Sequence, residues 1–600
     1  LQEALRLSDG QRDRVARARL LELMAENRLN SGHPQQAEEL RREAQALRKE
    51  GPGEAELAVR VLLRTGRFDQ ARQLLEERAA MEVEEPVQRP RAHRETLLLL
   101  ALILAFQGEG ERATAYALAG IERGEDLHSP FVTAVGQMRL GHAWLLLDEP
   151  KRYEKACRCY RQAIQISETL AVPRLRVEAY WGLCRAHGFR GALDAAKDAA
   201  QHGLAIAEQA GDQWIGALIQ VSLGASYALA EQYAEAHRWL ARALTAFRES
   251  GDQFGPVVTR LWQCWCWWQT EDTTRLEQGL AALLHPVRRH GYAYLFTQRT
   301  FLGPPDPRSL VPLLIFARQT EQRPHAESLL RQLGLADILL HPGYRLRLQT
   351  LGAFRLWRGA QEVDPQDWRR ATARQLFLLL VTFRRQMLER ERIITLLWPN
   401  LDPETALRDF KVALSRLYKV LEPDRKRGAP SAYVARDGTR YGLRPEADIW
   451  LDADRFTARL TAGDRHFEQA PEMAAEHYRE ALALYEGDYL QAYLYEDWCS
   501  EERERLLTLY LRAAERLAGI LAKAGAWEDV VEVSQAILSR DNCWEQAYRL
   551  LMRAYVALGN RAQALRVYQR CESTLCEELA IEPSPATQQL HAELFGSAGA

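Results

Sequence analysis

The stretch "ALRDFKVALSRLYKVL", residues 406–421, decides how this chain is read. By length and leucine spacing it passes for one more helix of a repeat array. At 100° per residue, Leu407, Phe410, Leu414, Leu417 and Leu421 fall in one stripe. The opposite stripe holds Arg408, Asp409, Val412, Ser415, Arg416 and Lys419, with Lys411 and Tyr418 on the flanks. A repeat helix packed on both sides does not leave a whole face polar and mostly cationic. A helix that lies in a DNA major groove does. Arg takes guanine O6/N7 or a phosphate, Ser takes either, and Val meets a thymine methyl. Lys411 and Lys419 suit phosphates, which set register rather than sequence. The competing reading of the helix alone is a surface helix with a solvated charged face.

The surrounding charge favours the first reading. The chain has 600 residues, 27% of them charged, and a net charge of −2. Between Arg345 and Pro445 stand 21 Lys and Arg against 11 Asp and Glu, an excess of ten, so the remainder carries −12. A basic island between acidic flanks is what phosphate neutralisation requires.

The periodicity around the helix also changes. "YRLRLQTLGAFRLWRGAQEV" (344–363) alternates apolar and polar residues, a strand pattern, and Arg358-Gly359 suits a tight turn. A helix is expected over about 369–384 and a short one over about 390–398. A loop "WPNLDPE" follows, then the opening stretch, then the basic loop "PDRKRGAP". "AYVARDGTRYGLR" (432–444) reads as two short strands joined through Asp437-Gly438. Strands, helix, short helix, long helix and hairpin in this order resemble a winged helix-turn-helix of the OmpR type. The long helix takes the recognition position, and Arg436, Thr439 and Arg440 of the wing are placed to reach the adjacent backbone or minor groove.

Both flanks are repetitive. Leu223, Gly224 and Tyr227, then Ala236, Leu240 and Ala243, recur 40 residues earlier as Leu183, Cys184 and His187, then Ala196, Ala200 and Gly203. Leu140, Gly141 and Trp144 precede them, with Ala156, Tyr160 and Ala163. Near the other end, Leu517, Ala518, Leu521, Val530, Ser534 and Ile537 recur 34 residues on as Leu551, Met552, Tyr555, Ala564, Tyr568 and Cys571. Small residues at fixed places let paired helices approach, and large ones fill the next layer. The pattern resembles tetratricopeptide repeats. The fold expected is therefore mainly α: two tetratricopeptide-like helical arrays, at 1–340 and 450–597, flank a small α+β winged helix-turn-helix domain at 344–446. "LWQCWCWWQT" (261–270) reads as a helix buried between neighbours rather than a ligand box.

"LGAFRLWRGAQEV", "ALRDFKVALSRLYKVLE", "YVARDGTRYGL" and "WLDADRFTARL" together look like the DNA-binding module of SARP-type (antibiotic-regulatory) bacterial activators. "AAEHYREALALYEGDYL" through "ELAIEPSPATQQL" looks like the bacterial transcriptional activator domain that follows it in that family. The resemblance covers about residues 344–597. It implies binding to promoter direct repeats and recruitment of RNA polymerase. It also implies a polymerase-contact loop at Pro399, Asn400, Leu401, Asp402, Pro403 and Glu404. By position it assigns recognition to Arg408, Lys411, Val412, Ser415 and Arg416. Family wings often end in Gly-Tyr, whereas Arg440 precedes Tyr441 here. The first array resembles the sensor region of large regulators built like the maltose-operon activator, which implies a protein or small-molecule inducer; a homodimer is a further expectation.

Other function classes find little support. No GxxxxGK[ST], GxSxG or HExxH occurs, so no cofactor, metal or enzymatic activity is expected in this chain. A nucleotide is expected only in a domain upstream of Leu1, because the helical rhythm without an initiator Met reads as the trimmed C-terminal part of a longer protein. Nine cysteines form no CxxC pair, and no apolar run approaches about 18 residues, which points to the cytoplasm. The alternatives left open are a tetratricopeptide-type protein-interaction scaffold without DNA binding and the C-terminal part of a signalling ATPase.

Overall fold

The computed structural model describes residues 14–47, 54–84 and 95–595. The expected helical opening of the chain, and the outermost residues of both expected arrays, lie outside the described residues. Two compact units divide the chain, the first ending at Ile338 and the second beginning at Leu339.

The first unit is a succession of helix pairs. Representative ones are Pro130–Trp144 with Arg152–Thr169, Arg176–Phe189 with Leu193–Ala210, Gln213–Leu229 with Tyr233–Ser250, and Gly255–Gln269 with Thr273–His290. The repeat residues do the packing the spacing implies. A Cβ on Gly141 or Gly182 would lie 2.5 or 2.2 Å from the Tyr160 ring, so glycine at both lets two helices close on that aromatic side chain. Leu240 closes on Gly224 in the same way. The period of 40 also shows in the backbone. Gly211, Gly251 and Gly291 end successive helices with φ of 66, 73 and 75°, the left-handed C-cap that glycine adopts without penalty. In the turns inside each pair, Gly191 (φ 76°) is replaced by Glu231 (59°) and Glu271 (58°). The tryptophan-rich helix Gly255–Gln269 buries Leu261, Trp262, Gln263, Cys264 and Cys266, and its other tryptophans are half-buried against the same core.

In the second unit, strands β1 (Leu346–Gln349), β2 (Arg355–Arg358) and β3 (Gln361–Glu362) precede helix α1 (Ala371–Thr382). Strand β4 (Leu388–Glu389), α2 (Arg390–Leu397) and α3 (Pro403–Leu421) follow, then β5 (Val434–Asp437), β6 (Arg440–Leu443) and β7 (Ile449–Leu451). One sheet has the order β3-β2-β1-β7, with β7 parallel to β1, and the other has the order β4-β6-β5. β4 and β7 are too short for periodicity to mark them. Helices from Asp452–His466 to Pro585–Phe595 complete the unit.

No break in packing separates the winged helix from these helices. One core runs from Leu346 to Leu590. At the junction the buried Asp452 carboxylate accepts hydrogen bonds from the Thr350 and Leu351 amides (2.6 and 2.7 Å) and from the Thr350 hydroxyl (2.6 Å). Burial raises its pKa against these hydrogen bonds. The architecture is mainly α, with the small α+β winged helix between two helical arrays along the chain.

Candidate nucleic-acid interface

The α3 helix starts where local chemistry directs. Asp402 is the N-cap and accepts from the Thr405 amide at 3.0 Å. This hydrogen bond, the largest cause, lowers the pKa of the Asp402 carboxyl. Pro403 and Glu404 form the first helical turn, where a missing N–H costs nothing and a negative charge meets the helix dipole. The expected loop is therefore shorter: Pro399 to Asp402 are loop, and Pro403 and Glu404 belong to α3. All six residues are exposed, Leu401 by 41%.

The buried stripe of α3 is Ala406, Phe410, Ala413, Leu417, Val420 and Leu421. It is turned by about 50° from the expected leucine stripe, at 100° per residue. The two alanines face the core because they permit close approach to α1 and α2. Leu407 and Leu414 sit half-buried on a flank. Phe410 packs edge-on against Tyr441 of the wing at 5.2 Å, and Trp398 meets it at 6.5 Å. Burying such a ring stabilises by roughly 1.5–3 kcal/mol.

The rotation sorts the candidate residues. Arg408, Lys411, Val412, Ser415 and Lys419 are all exposed, Val412 by 39%. Lys411 and Lys419 have no ion-pair partner among the described residues, and Arg408 comes only to 4.0 Å from the Asp409 carboxylate. Arg416 differs from expectation. It is half-buried, and its guanidinium donates to the Asp367 carbonyl in the 3-10 turn before α1. It leaves the face shared by the other five because the turned stripe brings it to the edge of the core.

The wing is a hairpin in which Asp437 pairs with Arg440. Its two-residue turn is therefore Gly438-Thr439, one position later than expected, with Gly438 at φ 60°. Positive φ at the first turn position fits the right-handed strand twist. Arg436 is exposed and its Nε donates to the Gly438 carbonyl at 3.1 Å. Thr439 and Arg440 are exposed but engaged. The Thr439 hydroxyl donates to Glu389 Oε2 at 2.9 Å, and Arg440 pairs with Asp437 and lies 4.0 Å from Glu389 Oε1. Glu389, which sequence reasoning missed, thus fixes the wing tip from β4. The basic loop after α3 adds exposed Lys426 and Arg427, while Arg425 lies over the Tyr418 ring at 4.3 Å.

The arrangement can present three cations, a hydroxyl and one apolar side chain from a single rigid helix, beside a hairpin carrying Arg436. Such a surface meets a polyanion without first breaking strong ion pairs.

Residues 451–595 match the bacterial transcriptional activator domain. The regulatory protein AfsR of Streptomyces griseus is 26% identical over 254 residues, and that of Streptomyces coelicolor 27% over 255. Each match covers 42% of this chain and 24% of the relative, so the chain matches about a quarter of their length. Among solved structures, Mycobacterium tuberculosis EmbR in complex with a low-affinity phosphopeptide is 24% identical over 42% of this chain and 65% of its own, with a TM-score of 0.37. A Rap protein complexed with competence and sporulation factor is 13% identical over 53% of this chain and 96% of its own, also at 0.37. With its winged helix followed by a bacterial transcriptional activator domain, the chain is similar to the SARP-type bacterial transcriptional activators.

Proposed function

We propose that the chain is a transcription regulator that binds double-stranded promoter DNA through α3 and the wing. The observation that carries this reading is the exposed face of α3, where Arg408, Lys411 and Lys419 stand without close carboxylate partners beside Ser415 and Val412. In this reading Arg408, Ser415 and Val412 read base edges, and Lys411 and Lys419 hold phosphates. Arg416 acts by fixing the turn before α1 and not by reading bases. Arg436 follows the neighbouring backbone from the wing. Thr439 and Arg440 hold the wing to Glu389 and reach DNA only by exchanging those partners.

The exposed loop Pro399–Asp402, continued by Pro403 and Glu404, is the surface offered to RNA polymerase, which makes the protein an activator. The first array controls this activity through a protein or small-molecule inducer. The site of action is the cytoplasm; no helix among the described residues is long and apolar enough to cross a membrane. Neither a cofactor nor an enzymatic step enters this reading.

The test is selection of sites from random duplex DNA by the full chain. Enrichment of a repeated motif is expected, with binding that weakens steeply with salt. No enrichment and no salt-sensitive binding would refute the proposal and favour a protein-interaction scaffold.

A further inference from the structure

The inner face of the first array is filled by its own chain. After the helix Thr273–His290 and the short helix Tyr294–Thr297, residues 298–306 run without regular structure through the array. Thr300, Phe301 and Leu302 are at most 1% exposed. The Phe301 amide donates to the Ala105 carbonyl at 3.1 Å. Arg185 donates from Nε to the Phe301 carbonyl (3.0 Å) and from Nη2 to the Gly303 carbonyl (2.7 Å). Trp262 Nε1 donates to the Leu302 carbonyl at 2.9 Å. The Phe301 ring meets His142 at 4.2 Å and stands edge-on to Trp181 at 4.8 Å. Four repeat helices therefore converge on three residues of this strap, Phe301, Leu302 and Gly303.

Two features separate this from ordinary core packing. Arg185 is fully buried, yet no carboxylate pairs with it among the described residues. Its guanidinium lies over Phe189 at 4.0 Å and spends its fork on main-chain carbonyls. Buried cations are usually paired with acids, whereas this guanidinium is satisfied by main-chain carbonyls, an arrangement that suits a peptide backbone. In addition, Gly108, at φ 86°, ends the helix Thr96–Gln107 where the strap crosses; a Cβ there would lie 2.9 Å from the Arg299 carbonyl. Donors for three successive carbonyls, with a pocket for one aromatic ring, recognise an extended peptide largely by its backbone.

We propose that residues 299–303 occupy a peptide site, and that the partner of the first array is an extended peptide carrying a phenylalanine-like side chain that exchanges with the strap. Arg185 and Trp262 hold its backbone, and His142 and Trp181 hold its ring. That exchange alters DNA binding rests on the reading above, but the exchange itself does not. The test therefore reads peptide and not DNA.

A fluorescent peptide of the sequence TQRTFLGPPD (residues 297–306) is titrated into the full chain and into its Phe301→Ala variant. The variant, with its ring pocket vacated, should bind the peptide about ten-fold or more tighter than the unaltered chain. Replacing the peptide's own Phe by Ala should abolish that gain. A folded variant that binds neither peptide, or both alike, overturns the proposal. If the variant does not melt cooperatively, hydrogen exchange of the unaltered chain decides. The Phe301 and Gly303 amides should exchange about ten-fold or more faster than the core amides of Thr96–Gln107 and Arg176–Phe189. Equal rates would mean that the strap opens only with the whole array, and the proposal fails.

Discussion

Replacing Lys411 and Lys419 together by Ala tests the α3 face most directly. Both side chains are exposed and lack ion-pair partners among the described residues, so removing them should disturb the fold little. If each neutralises one phosphate, each contributes about 0.9 to the slope of log K against log salt. At about 0.15 M salt that corresponds to about 1 kcal/mol of counterion release per lysine, from RT ln of the inverse concentration. The double variant should lose about 2 kcal/mol, roughly 30-fold in affinity, and its slope should flatten by about 1.8. At about 0.05 M salt the loss should rise to about 3 kcal/mol. Fluorescence anisotropy of the full chain on a mixed-sequence duplex measures both quantities, since the phosphate contribution is independent of sequence. An unchanged slope with unchanged affinity would remove α3 from the interface. A large loss with an unchanged slope would mean that the substitutions act through the fold.

Asp452→Ala should leave the Thr350 and Leu351 amides and the Thr350 hydroxyl without their buried acceptor, costing about 3 kcal/mol in urea unfolding; an unchanged midpoint would refute this role. Glu231→Gly and Glu271→Gly should each raise stability by about 1 kcal/mol, because φ of 59° and 58° strains any residue with a Cβ, and thermal melts read the gain. Burial pushes the Asp252 carboxyl up to about 6, against hydrogen bonds from Trp214 and the Phe254 and Gly255 amides. The folded state then holds a proton that the unfolded chain releases near pH 4. The stability belonging to that proton is complete below about pH 4 and lost as pH rises through about 6, about 3 kcal/mol in all. Relative to Asp252→Asn, the unaltered chain should therefore weaken over that window; a constant difference between the two would refute the assignment.

Much of this was legible in the residues. The recurrence of Leu140, Leu183 and Leu223 with their small partners at spacings of 43 and 40 residues, the alternation in 344–363 and the charge of 345–445 are local or periodic signals. Such signals follow from how a helix or strand presents its side chains, so a single chain displays them. They determined the helical arrays, the winged helix and the candidate face of α3. Only the tertiary structure decided the rest. Leucine and alanine are both apolar in a pattern, but only the packing of α1 and α2 against α3 shows that Ala406 and Ala413 face inward and that Arg416 is carried to the Asp367 carbonyl. Glu389 and Asp452 look like any acidic residues until β4 meets β6 and β7 meets β1. The strap is the sharpest case. Arg185 and the carbonyls it holds lie 116 and 118 residues apart, and no pattern in a sequence marks a main-chain acceptor that distant folding alone brings to a buried donor.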